Sequence, residues 1–233
     1  MKKIGIGWFS TGRDPAARKL LKTVWDSIKK GEIEVEISFV FSNHELGESI
    51  ESDLFFGQVD KYGIPLICFS SRKFQIQKGV NSISDCRLEY DREAMKKLKH
   101  FQPDLCVLAG YMFIVGEEMC HKYNMINLHP AAPGGPTGTW QEVIWKLIAE
   151  KAEYSGAMMH LVTPELDKGS PVAYCTFPIR DESNRVLWEG AKEGKRSSKR
   201  NLFNDIRYRR SLPREFPLIV ATLKTFSQGK VRI

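Results

Sequence analysis

No apolar run in the 233 residues approaches the roughly 20 that a membrane span requires, so a membrane helix is not expected. Behind Met1-Lys2-Lys3 the chain passes straight into Ile4-Gly5-Ile6-Gly7-Trp8-Phe9, without the apolar stretch and cleavage site of a secretory leader. Cysteine is scarce and scattered. Cys68, Cys86, Cys106, Cys120 and Cys175 are odd in number and form no Cys-x-x-Cys pair, which argues against a disulfide framework and a structural zinc site. Cys68, Cys106 and Cys175 sit in apolar runs, as buried thiols of a reducing cytoplasm would. Internal repeats and low-complexity tracts are missing as well.

What is present is an ordinary globular composition, 42% hydrophobic and 27% charged, long enough for one large domain or one domain with an appendage. The net charge of +7 is concentrated in one place. Between Lys192 and Arg210 eight Lys and Arg face only Glu193 and Asp205, and the rest of the chain is close to neutral.

The first apolar run is followed by Ser10-Thr11-Gly12-Arg13-Asp14-Pro15, which reads as strand, turn and helix, with Asp14 as N-cap and Pro15 in the first helical position. Ala17, Leu20, Leu21, Val24 and Ile28 then recur at helical spacing. Val35 to Phe41 and Pro65 to Phe69 read as strands, separated by a helix through Ile50 to Tyr62. Asp91 to His100 is helical, and Pro103 to Gly110 is a continuous apolar strand of the kind buried on both faces of a parallel sheet. Met125 to Leu128 is another strand, and Thr139 to Glu150 a helix. Ala157 to Thr163 and Pro171 to Ile179 are strand-like, with an acidic turn between them. The alternation predicts an open, doubly wound α/β sheet, whose ligands bind at the carboxyl ends of the strands. Asp181 to Leu212 reads as polar, basic and partly disordered. Pro213 to Phe226 reads as a final helix with Leu218, Ala221, Leu223 and Phe226 on its apolar face.

Two clusters carry candidate chemistry. In Asn127-Leu128-His129-Pro130 a strand places Asn127 and His129 on one side, so an amide donor and an imidazole converge. That pair suits stabilisation of an oxyanion with transfer of a proton. It also suits a plain turn with a hydrogen-bonded asparagine and a half-buried histidine. The second cluster runs from His160 to Gly169, where the carboxylate of Asp167 can reach an imidazole and raise its pKa. Asp-Lys-Gly is equally a common hairpin turn.

Taken in order, Val107-Leu-Ala-Gly-Tyr-Met-Phe-Ile114, Ile126-Asn-Leu-His-Pro130 and His160-Leu-Val-Thr-Pro-Glu-Leu-Asp167 resemble the folate-dependent formyltransferases. Within that family the likeness is strongest to the members that formylate glycinamide ribonucleotide. It covers roughly residues 3–180, with a weaker echo in the final helix, and Arg87-Leu-Glu-Tyr-Asp91 is similar to the family's arginine-containing stretch. The resemblance implies an open, mostly parallel Rossmann-like sheet with helices on both faces, over residues 1–180. A basic insertion over 181–212 and a C-terminal helix over 213–233 packed on the same domain complete the expectation.

The implied activity is formyl transfer from 10-formyltetrahydrofolate to the amine of glycinamide ribonucleotide, without a metal. Asn127 and His129 would polarise the formyl carbonyl, and Asp167 would keep His129 protonated or position a water. Arg87, Met112, Phe113, Ile114, Val115, Asn127 and His160 are the implied folate contacts. Ser10, Thr11, Gly12 and Arg13 are the implied contacts to the acceptor's phosphate. Three departures stand out: Phe113 replaces the family's usual arginine, Ala-Ala-Pro-Gly-Gly-Pro follows Pro130 in place of Ser-Leu-Leu-Pro, and the first loop carries one glycine and Asp14. Alternative readings are another acceptor such as an amino sugar nucleotide, hydrolysis of the formyl donor, or a nucleic-acid-binding protein on a degenerate formyltransferase scaffold. The expected partner is a small amine bearing a phosphate, with neither nucleic acid nor membrane, in a cytoplasmic monomer or homodimer.

Overall fold

The first strand, β1 (Ile4–Phe9), sends Ile6 and Trp8 to one apolar layer and Phe9 to the other. The computed structural model describes residues 3–231, so Met1-Lys2 and Arg232-Ile233, at the ends of the first and last expected segments, lie outside the described residues. β1 joins β2 (Val35–Ser42), β3 (Leu66–Cys68), β4 (Leu105–Leu108), β5 (Met125–His129), β6 (Tyr154–Leu161) and β7 (Pro171–Pro178) in one sheet of order β3-β2-β1-β4-β5-β6-β7. β1 to β5 are parallel, and β6 and β7 are added antiparallel. A register shift between Ile6 and Gly7 lets Phe39 lie against β1, where a side chain on Gly7 would meet the Phe39 ring at 2.5 Å.

One face of the sheet is covered by α1 (Pro15–Lys29), α2 (Ile50–Lys61) and α9 (Leu212–Ser227), which pack Leu21, Phe55 and Ile219 onto it. The other face is covered by α3 (Ser71–Lys78), α4 (Arg87–Lys97) and α5 (Glu117–Lys122), through Phe74, Tyr90 and Met119. The expected architecture, a mostly parallel sheet between helical layers, is the one observed. α1 begins as its sequence demands, with the Asp14 carboxylate accepting the Ala17 N–H at 2.9 Å and Pro15 following. On α9, however, Ala221 faces solvent, and Leu218, Ile219, Thr222, Leu223 and Phe226 make the buried face.

The segment 181–212 is helical, contrary to the expectation of partial disorder. A 3₁₀ turn (Glu182–Asn184), α7 (Arg185–Lys192), α8 (Arg196–Asn204) and a π-helical stretch (Asp205–Ser211) run into α9. The reason is a third apolar cluster, in which Trp188, Ala191, Leu202 and Ile206 pack with Val143, Ile144 and Leu147 of α6 (Trp140–Ala149). Part of the segment's charge is paired as well: Arg210 with Asp181 and Asp205, and Arg207 with Glu215. Among the described residues no helix is long and apolar enough to cross a membrane.

Candidate active site

The strand order reverses between β1 and β4, the position at which an open parallel sheet leaves a crevice beyond its strand ends. A cavity of about 360 Å³ occupies that crevice. Its walls are the loop after β4 (Gly110–Val115), the end of β5 with Pro130, the start of α6, and the turn after β6 through Leu166 and Asp167. α1 and the π-helix/α9 junction close the remaining side with Arg13, Asp14, Arg207 and Glu215.

Asn127, His129, His160 and Asp167 meet in this cavity. β5 carries Asn127 and His129, and its antiparallel register with β6 sets His160 opposite Asn127. Asp167 arrives from the β6–β7 turn, in the left-handed region at φ 56°. Two residues on, Gly169 lets that turn close over β6, since a Cβ there would lie 1.7 Å from the Leu161 carbonyl oxygen. The turn is also tied across the cavity, because the Gly138 N–H donates to Asp167 Oδ2 at 3.0 Å. Asp167 Oδ1 then stands 3.6 Å from His129 Nδ1 and 3.6 Å from His160 Nε2. Both separations are too long for a direct hydrogen bond and short enough for strong electrostatic contact.

The proton positions follow from the carbonyls that the imidazoles touch. The Leu161 carbonyl can only accept, so His160 Nδ1, at 2.8 Å from it, carries a proton. In the uncharged ring His160 Nε2 therefore accepts from the Asn127 amide nitrogen at 3.1 Å. That leaves the second amide N–H of Asn127 free to turn toward the cavity. His129 Nε2 likewise donates to the Pro136 carbonyl at 2.9 Å, which leaves the uncharged ring with a bare Nδ1 on the side of Asp167.

Burial is the largest influence on His129 and holds its pKa below the usual histidine value, although Asp167 and the Pro136 carbonyl pull it upward. Burial also works against ionised Asp167, but His160, the Gly138 N–H and His129 together bring its carboxyl below the ordinary aspartate range. The resting pair is thus carboxylate and neutral imidazole. A proton-accepting nitrogen beside a fixed carboxylate, with an amide donor next to it, can remove a proton from a nucleophile and hold charge on a carbonyl oxygen. The expectation that Asp167 keeps His129 protonated does not match this balance, because the apolar walls outweigh one carboxylate at 3.6 Å.

Met112, Phe113, Ile114 and Val115 all line the cavity, and Phe113 packs against Tyr90 and Tyr111. Arg87 does not line it. Its guanidinium reaches Ser84 Oγ at 3.1 Å at the head of α4 and lies beside the buried Asp91, whose carboxyl burial raises to about 6. Of the four implied acceptor contacts only Arg13 lines the cavity. The Ser10 hydroxyl accepts the Gly12 N–H at 3.3 Å, and Thr11 Oγ1 donates to Asn43 Oδ1 at 2.7 Å while accepting the Met112 N–H at 2.8 Å. Both hydroxyls are buried; that of Thr11 joins its loop to Asn43 and Met112, and that of Ser10 accepts within its own loop. Gly12 adopts φ 69° against Phe55, so its lack of a side chain answers packing.

Sequence reading passed over three cavity residues. Trp140 opens α6, and its indole N–H is buried without a hydrogen-bond partner, a donor that a bound molecule can satisfy. Arg207 lies with its guanidinium 4.6 Å from the Trp140 ring and donates through Nη1 to Glu215 at 2.5 Å. Glu215 was hidden in a helix read only for its apolar face. Arg207 was hidden in a run of positive charge, and a carboxylate eight residues later is the one signal that could have suggested its burial. The engaged residues leave a cavity with an apolar wall, backbone edges after β4 and the unsatisfied Trp140 indole N–H, which fits a flat heterocycle with polar edges.

Residues 16–192 match the family model described as formyl transferase. A phosphoribosylglycinamide formyltransferase of Schizosaccharomyces pombe is 28% identical over 176 residues, covering 72% of this chain and 80% of that one. The protein of that name from Dictyostelium discoideum is 29% identical over 169 residues, covering 68% and 78%. Among solved structures, glycinamide ribonucleotide transformylase 1 from Symbiobacterium toebii superposes with a TM-score of 0.71 at 19% identity, over 99% of this chain and 91% of that one. At that identity the superposition speaks for the fold.

Proposed function

The chain belongs to the formyl transferase family, and from that premise we propose that it transfers a formyl group from 10-formyltetrahydrofolate to the amine of glycinamide ribonucleotide. The observation that carries the reading is the position of Asp167, 3.6 Å from both His129 and His160 and beside Asn127, at the wall of a cavity sized for a heterocycle. When bound, the folate co-substrate supplies an electrophilic formyl carbon. The backbone of Met112 to Val115 and the turn through Asp167 bind the pterin, and Phe113 adds an apolar face where the family usually has arginine.

The free N–H of the Asn127 amide faces the formyl oxygen and stabilises the negative charge that gathers there. His160 acts through Asn127, fixing which way the amide points. The bare Nδ1 of His129 accepts the proton released as the acceptor nitrogen bonds to the formyl carbon, with a water as relay. Ionised Asp167 stabilises the resulting imidazolium, and His129 then gives the proton, again through water, to the folate nitrogen as its bond to the formyl carbon breaks. Arg13, which lines the cavity, serves the phosphate end of the acceptor, since the Thr11 hydroxyl is engaged with Asn43 and Met112 and Arg207 is paired with Glu215. The reading carries with it a cytoplasmic setting for the reaction.

The test is to incubate the protein with 10-formyltetrahydrofolate and a panel of amines that includes glycinamide ribonucleotide and amino sugar nucleotides. Tetrahydrofolate release should depend on glycinamide ribonucleotide. Release of equal rate without any amine would make the chain a hydrolase, and dependence on a different amine would reassign the acceptor.

A further inference from the structure

A second cavity, of about 280 Å³, opens further along α6 and shares no lining residue with the first. Its apolar floor is Ile148, Trp188 and Ala191, all buried. One wall is Trp145, 44% exposed and stacked on Phe203 at 4.7 Å between ring centroids. The rim is Lys151, Arg180, Lys192 and Lys199, with no acidic residue among the lining groups.

These four cations converge on one apolar hollow, unlike several of their neighbours, which are engaged by carboxylates. Lys195 is paired with Glu193, Arg207 with Glu215, and Arg210 with Asp181 and Asp205. Among the described residues none of the four rim cations forms an ion pair, and Arg180 instead lies over the Trp188 ring at 5.8 Å. A solvated basic face needs no apolar floor, and an apolar floor needs no ring of unpaired charge. The two together describe a receptor for a flat body that carries several negative charges.

We propose that this cavity binds a nucleoside di- or triphosphate, with the base against Trp145 and Trp188 and the phosphates on the lysine and arginine rim. Stacking on indole is available to any purine or pyrimidine, and guanidinium and ammonium groups match phosphate oxygens. The volume suits one nucleoside, and a single-stranded oligonucleotide probe separates this ligand from RNA. α6 carries Trp140 into the first cavity and Trp145 into the second, and Phe203 touches both rings, at 5.6 and 4.7 Å. One helix therefore borders both sites.

The experiment is titration with ATP in the absence of divalent metal, followed by calorimetry and by tryptophan fluorescence, with adenosine, tripolyphosphate and a single-stranded oligonucleotide as comparison probes. ATP should bind at one site, more weakly as salt rises, and tighter than adenosine or tripolyphosphate. The double variant Lys192→Glu, Lys199→Glu should weaken ATP by about tenfold or more, and Trp145→Ala should also weaken it, while formyl transfer stays at the parent rate. Both variants alter exposed positions, and unchanged thermal melting would establish that they fold. ATP binding equal to that of tripolyphosphate, or unaffected by the double variant, would overturn the proposal. Tighter binding of the oligonucleotide, with a steep salt dependence, would overturn it in favour of a strand-binding surface. Because binding is read directly, its failure leaves the formyl-transfer reading untouched.

Discussion

Replacing Asp167 by asparagine keeps the shape of the side chain and removes its charge. With His129 Nδ1 3.6 Å from Asp167 Oδ1, Coulomb's law at an effective dielectric of about 20 gives about 4–5 kcal/mol between carboxylate and imidazolium. That is a ceiling of roughly three decades in rate if the whole interaction is realised in the transition state. A loss of at least about a hundredfold in kcat is expected, since Gly138 and solvent share part of the carboxylate's field.

The pH profile separates this from damage to the fold. His129 already titrates below the ordinary value because of burial, and Asp167 is what pulls it upward. A base is active in its unprotonated form, so the acid limb of kcat/KM in the parent should lie below the ordinary histidine range. Removing the upward pull lowers the His129 pKa further, and the acid limb of Asp167→Asn must move to still lower pH. The assay is release of tetrahydrofolate as a function of pH, with melting curves for both proteins. A rate within tenfold of the parent, or an acid limb that moves to higher pH, would refute the assignment.

Asn127→Ala should lower kcat by about a hundredfold with little change in KM for the folate, read from steady-state kinetics. His160→Ala removes the group that holds the amide and one of the partners of Asp167, so its loss in kcat should be smaller than that of Asn127→Ala. Arg207→Ala leaves Glu215 buried without its partner and should cost about 3–5 kcal/mol in denaturant unfolding, whereas replacing both by apolar residues of similar volume should restore most of it. Gly169→Ala forces the β6–β7 turn away from the Leu161 carbonyl, so loss of stability and of activity together is expected, by thermal melting and the same rate assay. Loss of stability with activity retained would mean that the turn need not hold Asp167 in place.

How much of this was readable depends on the distance over which each signal acts. The parallel strands announced themselves because burial on both faces demands a continuous apolar run, as in Leu105 to Leu108. The Asp14 cap and Pro15 were equally local. Asn127 and His129 share a strand face by simple periodicity, and that too can be read from adjacent residues. Their partner was harder. Asp167 reaches them because β6 pairs antiparallel with β5 and a left-handed turn at Asp167 swings its carboxylate back, neither of which is written in the turn's own residues. Only the likeness to a known family brought it into the cluster.

The sign of the histidine's charge was beyond sequence for a related reason. A carboxylate nearby argues for a protonated imidazole, and that inference is sound for the pair in isolation. The opposing term is the summed effect of walls contributed by residues 108 to 163, and no short motif encodes it. The same holds for residues 181–212. Their polar composition suggests solvent, yet Trp188, Leu202 and Ile206 are enough to fix the segment against α6, and Glu215 and Asp181 supply the charges its arginines require. A few apolar side chains at the right spacing therefore outweigh a majority of polar and charged ones, because burial acts through the contacts made and composition counts only the residues present. That is why Arg207 of the first cavity and Lys192 and Lys199 of the second lie in the segment that reads as least structured.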